Sequence, residues 1–179
     1  EGNVSSPTDT YSYPDIAIAP DGYVGMVYGN GSGSVYSKWN GTEWTHENVA
    51  ADTYPDGLVF NSSGTPHVVY HDSSSNYLYA YQSGSSWISE VVGSTVATTA
   101  ADIAVGSDGI FRILYNYDDS WGVCRFYLLT GSFGSWTSDY YVPGFSCFNQ
   151  GALQIEMNDT VPYILSYQST SGGIFKLTT

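Results

Sequence analysis

Basic side chains are nearly missing from this sequence. Lys38, Arg112, Arg125 and Lys176 stand against 17 acidic residues in 179, a formal charge of −13 at neutral pH. Phosphate backbones and anionic lipids are held by clustered Lys and Arg, so neither nucleic acid nor an anionic membrane surface is an expected partner. The acidic surface reads as a solvated face that opposes non-specific association and holds cations at most loosely. Long apolar runs are also missing: no stretch approaches the roughly 18 residues of a membrane helix, and no membrane insertion is expected. Helical periodicity never lasts more than a few residues. Glu1 opens a polar stretch rather than a signal peptide, and the numbered chain reads as a mature product. Cysteine is limited to two residues without zinc-site spacing. There is no Gly-x-Ser-x-Gly elbow, no phosphate loop and no supported Cys–His arrangement. No residue is assigned a catalytic role, and the chain is expected not to be an enzyme.

What is present is a repeat. Asp15-Ile16-Ala17-Ile18 leads into a Pro20-Asp21-Gly22 turn, a second apolar run Tyr23 to Tyr28, a Gly-rich break at 29–33, a third run Val35 to Trp39, and a fourth from Trp44 to Val49. Short apolar runs bounded by Gly, Pro, Asn and Asp are strand signals, and four in succession make a meander. The succession starts again at Asp56, Asp102 and Gly151, spacings of 41, 46 and 49 residues. Those spacings suit a four-stranded propeller blade. The expected fold is all-β: one four-bladed β-propeller domain over 1–179, with antiparallel four-stranded blades near 15–50, 56–92, 102–142 and 151–179. The last copy lacks a Trp-led outer strand, and Gly2 to Pro14 resembles the end of one, Glu47 to Pro55. Residues 1–4 are therefore expected to complete the last blade, on their own chain or on a neighbour's, because an unpaired strand edge invites pairing.

Asp15, Asp56 and Asp102 sit at or one place from the head of each inner strand, where side chains line the central axis. Three readings stay open for them: acceptors of backbone hydrogen bonds at the preceding turn, ligands of a cation such as Ca²⁺, or an acid and base for glycoside cleavage. No other cofactor is expected. His67 and His71 have the spacing of a helical metal pair, but on a strand they stand about 13 Å apart, and they are read with His46 as structural.

Tyr28, Tyr70 and Tyr115, like Trp44, Trp87 and Trp136, recur at matching places and are expected to pack between blades. Tyr11, Tyr13, Tyr54, Trp121, Tyr140 and Tyr141 fall in or near linkers and are candidates for sugar stacking or subunit contact. Asn3, Asn30, Asn40, Asn61 and Asn158 each open an Asn-x-Ser/Thr triplet, where composition alone would give about two. They are either glycosylation acceptors or plain turn chemistry. Cys124 and Cys147 either form a disulfide across adjacent elements or stay as two thiols. Sequons and cysteines together favour an extracellular or cell-surface location.

The run Ser62-Ser63-Gly64-Thr65-Pro66-His67-Val68-Val69-Tyr70-His71-Asp72, with Leu78-Tyr79-Ala80-Tyr81 and Gly84-Ser85-Ser86-Trp87 after it, resembles the repeats of extracellular sialidase-like β-propellers of bacteria and archaea. The resemblance covers nearly the whole chain and implies a blade, not an activity. The family's Asp-box turn is half present: Gly41-Thr42-Glu43-Trp44 and Gly84-Ser85-Ser86-Trp87 keep Gly and Trp without the Asp. Sialidases also need three arginines on the substrate carboxylate, whereas this chain has two, so the resemblance does not imply sialidase activity. Three functions follow as expectations. The first is a non-catalytic surface or filament subunit that self-associates or binds other surface proteins. The second is a glycan-binding lectin or adhesin, and the least favoured is a glycoside hydrolase or lyase.

Overall fold

A computed structural model describes residues 14–94, 100–118, 123–146, 150–168 and 173–176. Among these residues the regular structure is entirely β. The first sheet contains β1 (Asp15–Ile18), β2 (Val24–Gly29), β3 (Gly33–Trp39) and β4 (Trp44–Ala51). The second contains β5 (Thr53–Phe60), β6 (Pro66–Asp72), β7 (Asn76–Ser83) and β8 (Ser86–Ser94). The third contains β9 (Ala101–Val105), β10 (Phe111–Asp118), β11 (Val123–Ser132) and β12 (Ser135–Ser146), and the last β13 (Gln150–Asn158), β14 (Val161–Gln168) and β15 (Gly173–Lys176). Each sheet is an antiparallel meander in chain order. This is the blade-by-blade, all-β architecture that the repeats predict. The strand that residues 1–4 were expected to add lies outside the described residues.

The punctuation that marked the repeats does physical work in the inner hairpins. Gly22, Gly64 and Gly109 take positive φ (89, 80 and 74°) and donate to the carbonyl three residues back, a conformation glycine adopts without Cβ strain. In the last blade the β13–β14 turn uses Asp159 instead, at φ 61°.

Neighbouring blades pack face to face, and strand alternation decides which side chains meet. Val27 and Tyr36 of the first blade join Leu58, Phe60, Val68, Tyr70 and Ala80 of the second. The opposite face of the second blade, Val69, Tyr77 and Tyr79, meets Ile103, Phe111, Ile113 and Tyr115 of the third. Ala104, Leu114, Phe126 and Leu128 then meet Leu153, Ile155 and Ile164 of the last. Each blade thus has a leading face, turned to the blade before it, and a trailing face, turned to the blade after. In β1 this places small Ala17 inward and the larger Ile16 and Ile18 outward.

Candidate functional site at the inner strands

The inner strands β1, β5, β9 and β13 together line a cavity of about 460 Å³. Asp15, Asp56, Asp102, Gln154 and Glu156 are in its wall, beside Ile16, Val105 and Met157. Strand register explains how the acids arrive there. Asp15 pairs with Val27 and Asp102 with Leu114, each one residue before the repeated tyrosine of the second strand. In the second blade that place is taken by Gly57, opposite Val69, because a bulge between Pro55 and Gly57 displaces Asp56 from the ladder. A Cβ on Gly57 would stand 2.7 Å from Asp102 Oδ1 and 3.1 Å from the Ile103 nitrogen. The close approach of Asp102 therefore requires glycine at that place.

The three acids face different partners. Asp15 Oδ1 accepts from its neighbour's Ile16 N–H at 2.8 Å, and Oδ2 from Leu58 N–H in the next blade at 2.7 Å. Asp102 repeats the arrangement one interface on, with Ile103 and Ile155 N–H both at 2.8 Å. Each side chain so ties two inner strands together through backbone amide hydrogen bonds. Asp56 is buried, and its Oδ2 shares a 2.8 Å hydrogen bond with His71 Nδ1. Among the described residues no three His, Cys, Asp or Glu side chains converge as a metal ligand set.

Burial pushes all three acids upward. Asp102 reaches about 8, through desolvation first and the charges of Asp15 and Glu156 after it, against the pull of the Ile155 and Ile103 amides. Desolvation also raises Asp15 over the opposing Leu58 and Ile16 amides, and raises Asp56 over the opposing His71. An acid whose folded pKa is raised from 3.8 to about 8 stabilises the fold fully below pH 3.8, and that stability is lost as pH rises through 8. Between pH 6.5 and 8, Asp102 should thus cost about 2 kcal/mol of unfolding free energy. Urea titrations across this window should show the decline in the native protein and not in Asp102→Asn; a parallel decline in both would refute the assignment.

Elsewhere the expected residues are placed as follows. Tyr54 is half-buried and stacked on His71 (5.1 Å between ring centres, 24°). Tyr140 and Tyr141 lie in β12 opposite Tyr127 and Phe126, and their side chains are outside the described set, as are Tyr11, Tyr13 and Trp121 altogether. Cys124 sits in β11 opposite Phe145; Cys147, and with it the disulfide, lies outside the described residues. Asn3 does too. Asn30, Asn40 and Asn61 are at turns, where Oδ1 accepts from the Ser or Thr N–H two residues on, at 3.0, 2.9 and 3.1 Å. In the Asn40 and Asn61 turns the hydroxyl donates as well, at 2.8 Å each. The turn geometry alone therefore accounts for the Asn-x-Ser/Thr pattern at these three sites. Asn158 ends β13 and is exposed.

Three arrangements were not read from the sequence. Gln154 and Glu156 join the cavity from the last blade. His46 Nδ1 meets Ser37 Oγ at 2.7 Å across β3 and β4. His67 Nδ1 meets the Tyr79 hydroxyl at 2.7 Å inside an aromatic cluster. The register pairs Ser37 with His46 and sets His67 diagonal to Tyr79 on the neighbouring strand, and a strand alignment would have found both contacts; the place of Gln154 and Glu156 in the cavity depends on blade packing.

No protein-family model matches the sequence, and no curated protein matches it. Solved structures do match the fold. A Hadza microbial sialidase superposes with a TM-score of 0.65 at 11% identity, over 94% of this chain and 44% of its own. The SapL1 lectin, solved with α-methyl fucoside, gives 0.63 at 11%, over 93% and 63%. An α-L-arabinofuranosidase from Clostridium thermocellum gives 0.57 at 14%, over 88% and 61%. The chain spans less than two thirds of the length of these proteins. At such identities the likeness shows the fold. It also corrects one expectation: missing sequence motifs argued against an enzyme, yet a sialidase and an arabinofuranosidase are among the proteins built this way. Linear motifs are a poor guide here, because inner-strand groups from four blades meet only after folding.

Proposed function

We propose that the chain is a carbohydrate-binding propeller that takes a neutral glycan at the inner-strand cavity. The observation that carries this reading is the cavity wall. Exposed Glu156 and Gln154 and the half-buried Asp15 and Asp102 stand beside Ile16, Val105 and Met157. Carboxylate and amide oxygens accept from vicinal hydroxyls, while apolar side chains cover the C–H face of a sugar ring. A net charge of −13 disfavours acidic sugars and favours neutral ones. The lectin that shares the fold was solved with a fucoside, which supports the reading. Cleavage at the same acids is the second reading, favoured by the proton that Asp102 keeps into the neutral range.

A glycan array followed by calorimetry on the hits tests the proposal. Binding to neutral glycans is expected, with Glu156→Gln weakening it about tenfold, the loss of one charge-assisted contact. Silence across the array, or full affinity in Glu156→Gln, would refute the cavity as the site. Product analysis on the same hits separates binding from cleavage.

A further inference from the structure

Three turns of this chain hold an asparagine side chain in the same way and differ in two features that bear on the chemistry of its amide. The first feature is the number of donors on Oδ1. Asn30 Oδ1 accepts from one, the Ser32 N–H. Asn40 Oδ1 accepts from three, the N–H groups of Thr42 and Glu43 and the Thr42 hydroxyl, at 2.9, 3.0 and 2.8 Å. Asn61 Oδ1 also accepts from three, the N–H groups of Ser63 and Thr65 and the Ser63 hydroxyl. The second feature is the residue that follows, which is Gly31 after Asn30, Gly41 after Asn40 and Ser62 after Asn61. Donors gathered on a carbonyl oxygen draw electrons from its carbon and stabilise the negative charge that nucleophilic attack places on the oxygen. The nucleophile within reach is the next backbone nitrogen, whose attack closes a five-membered imide. Glycine alone has no Cβ to crowd that nitrogen.

At Asn40 both features coincide. Asn40 and Gly41 are exposed, nothing stands within 4 Å of where a Cβ on Gly41 would be, and among the described residues no acceptor takes the Gly41 N–H. We propose that Asn40 is a self-modification site, at which the Gly41 nitrogen displaces the side-chain amide as ammonia. The Gly41 nitrogen gives its proton to hydroxide and bonds to Asn40 Cγ; the Cγ–Nδ2 bond breaks, and Nδ2 leaves as ammonia with a proton from water. Water then opens the imide at either carbonyl and leaves aspartate or isoaspartate at position 40, with no change of oxidation state. The aspartate product keeps an acceptor for the three donors. The isoaspartate product adds a methylene to the backbone one residue past Trp39, whose pairing with Trp44 is the last rung of β3 on β4. Either product ends the Asn-x-Thr triplet, so loss of ammonia and attachment of a glycan at Nδ2 exclude each other in this turn.

Peptide mapping by mass spectrometry tests it on the folded, unglycosylated chain held at mildly alkaline pH. The peptide that holds Asn40 should gain one mass unit first. The Asn30 peptide should follow at least about fivefold more slowly, one hydrogen bond being worth about that factor, and the Asn61 peptide last. Thr42→Val removes the hydroxyl donor and should slow the Asn40 reaction about fivefold, while Thr42→Ser keeps the donor and should react at the native rate. Circular dichroism must match the native chain for both variants. Unfolding in urea should bring the Asn40 and Asn30 rates together, because both are then plain Asn-Gly pairs. Conversion of Asn30 as fast as Asn40 in the folded chain overturns the proposal, since the hydrogen bonds would then be holding the side chain away from the nitrogen. A native rate in Thr42→Val overturns it too, as does an Asn40 amide that stays intact in the folded chain while the unfolded chain converts.

Discussion

Replacing Tyr79 by Ala should lower the unfolding free energy by about 4 kcal/mol, the range seen when a large buried aromatic ring is removed. Tyr79 is 1% exposed at the interface of the second and third blades. Its ring lies edge-on to Trp136 at 5.1 Å and within 5.9 Å of Phe111 and 5.7 Å of His67. Truncation empties the centre of that cluster and strands His67, whose Nε2 is already buried without a partner among the described residues and whose Nδ1 is held by the Tyr79 hydroxyl. Tyr79→Phe separates the two effects. It keeps the ring and removes the hydrogen bond, so it should cost about 1–2 kcal/mol, the desolvation penalty of an orphaned buried nitrogen. Tyr23→Ala is the surface control, because that ring is exposed and touched by the Lys38 ammonium at 4.1 Å; it should cost under about 1 kcal/mol. Denaturant unfolding of the three variants checks the order, and a Tyr79→Ala loss no larger than that of Tyr79→Phe would show that packing is not what Tyr79 supplies.

The same cluster shows why the sequence was informative about blades and silent about their contacts. Strand existence follows from local patterns, and Asp15, Asp102, Tyr28, Tyr70 and Tyr115 could be aligned by eye because each recurs at a fixed distance from a turn. The displacement of Asp56 could not. It depends on a bulge that sets Gly57 under Asp102, and a single extra residue in a strand has no signature beyond one glycine. The acids were legible as a group at one end of the inner strands. Their partners, Leu58 and Ile155, were not, since they are 43 and 53 residues away and are fixed by the angle between blades. The sequons illustrate a pattern with two sufficient causes, and the structure supplies one of them in the turns at Asn30, Asn40 and Asn61.

Acid should weaken the protein through His67. Desolvation lowers its pKa from 6.5 to about 4, as expected for an imidazole 5% exposed among Tyr79, Tyr81 and Phe111. Because the folded pKa lies below the unfolded one, the unfolded chain takes up the proton first. The stability due to neutral His67 is fully present above pH 6.5 and is lost as pH falls through 4, an effect of about 3 kcal/mol between pH 7.5 and 4. Asp102, with its window from 3.8 to about 8, acts in the opposite sense over the whole of that range, so the native curve alone masks the change. Subtracting the curve of His67→Gln, which does not titrate, removes the contribution of Asp102 and of every other group that titrates alike in both proteins. The difference should shrink by about 3 kcal/mol from pH 7.5 to 4, with most of the change below 6.5. A difference independent of pH would mean that His67 is hydrated in the fold, and the aromatic cluster at the interface of the second and third blades would then be open to water rather than dry.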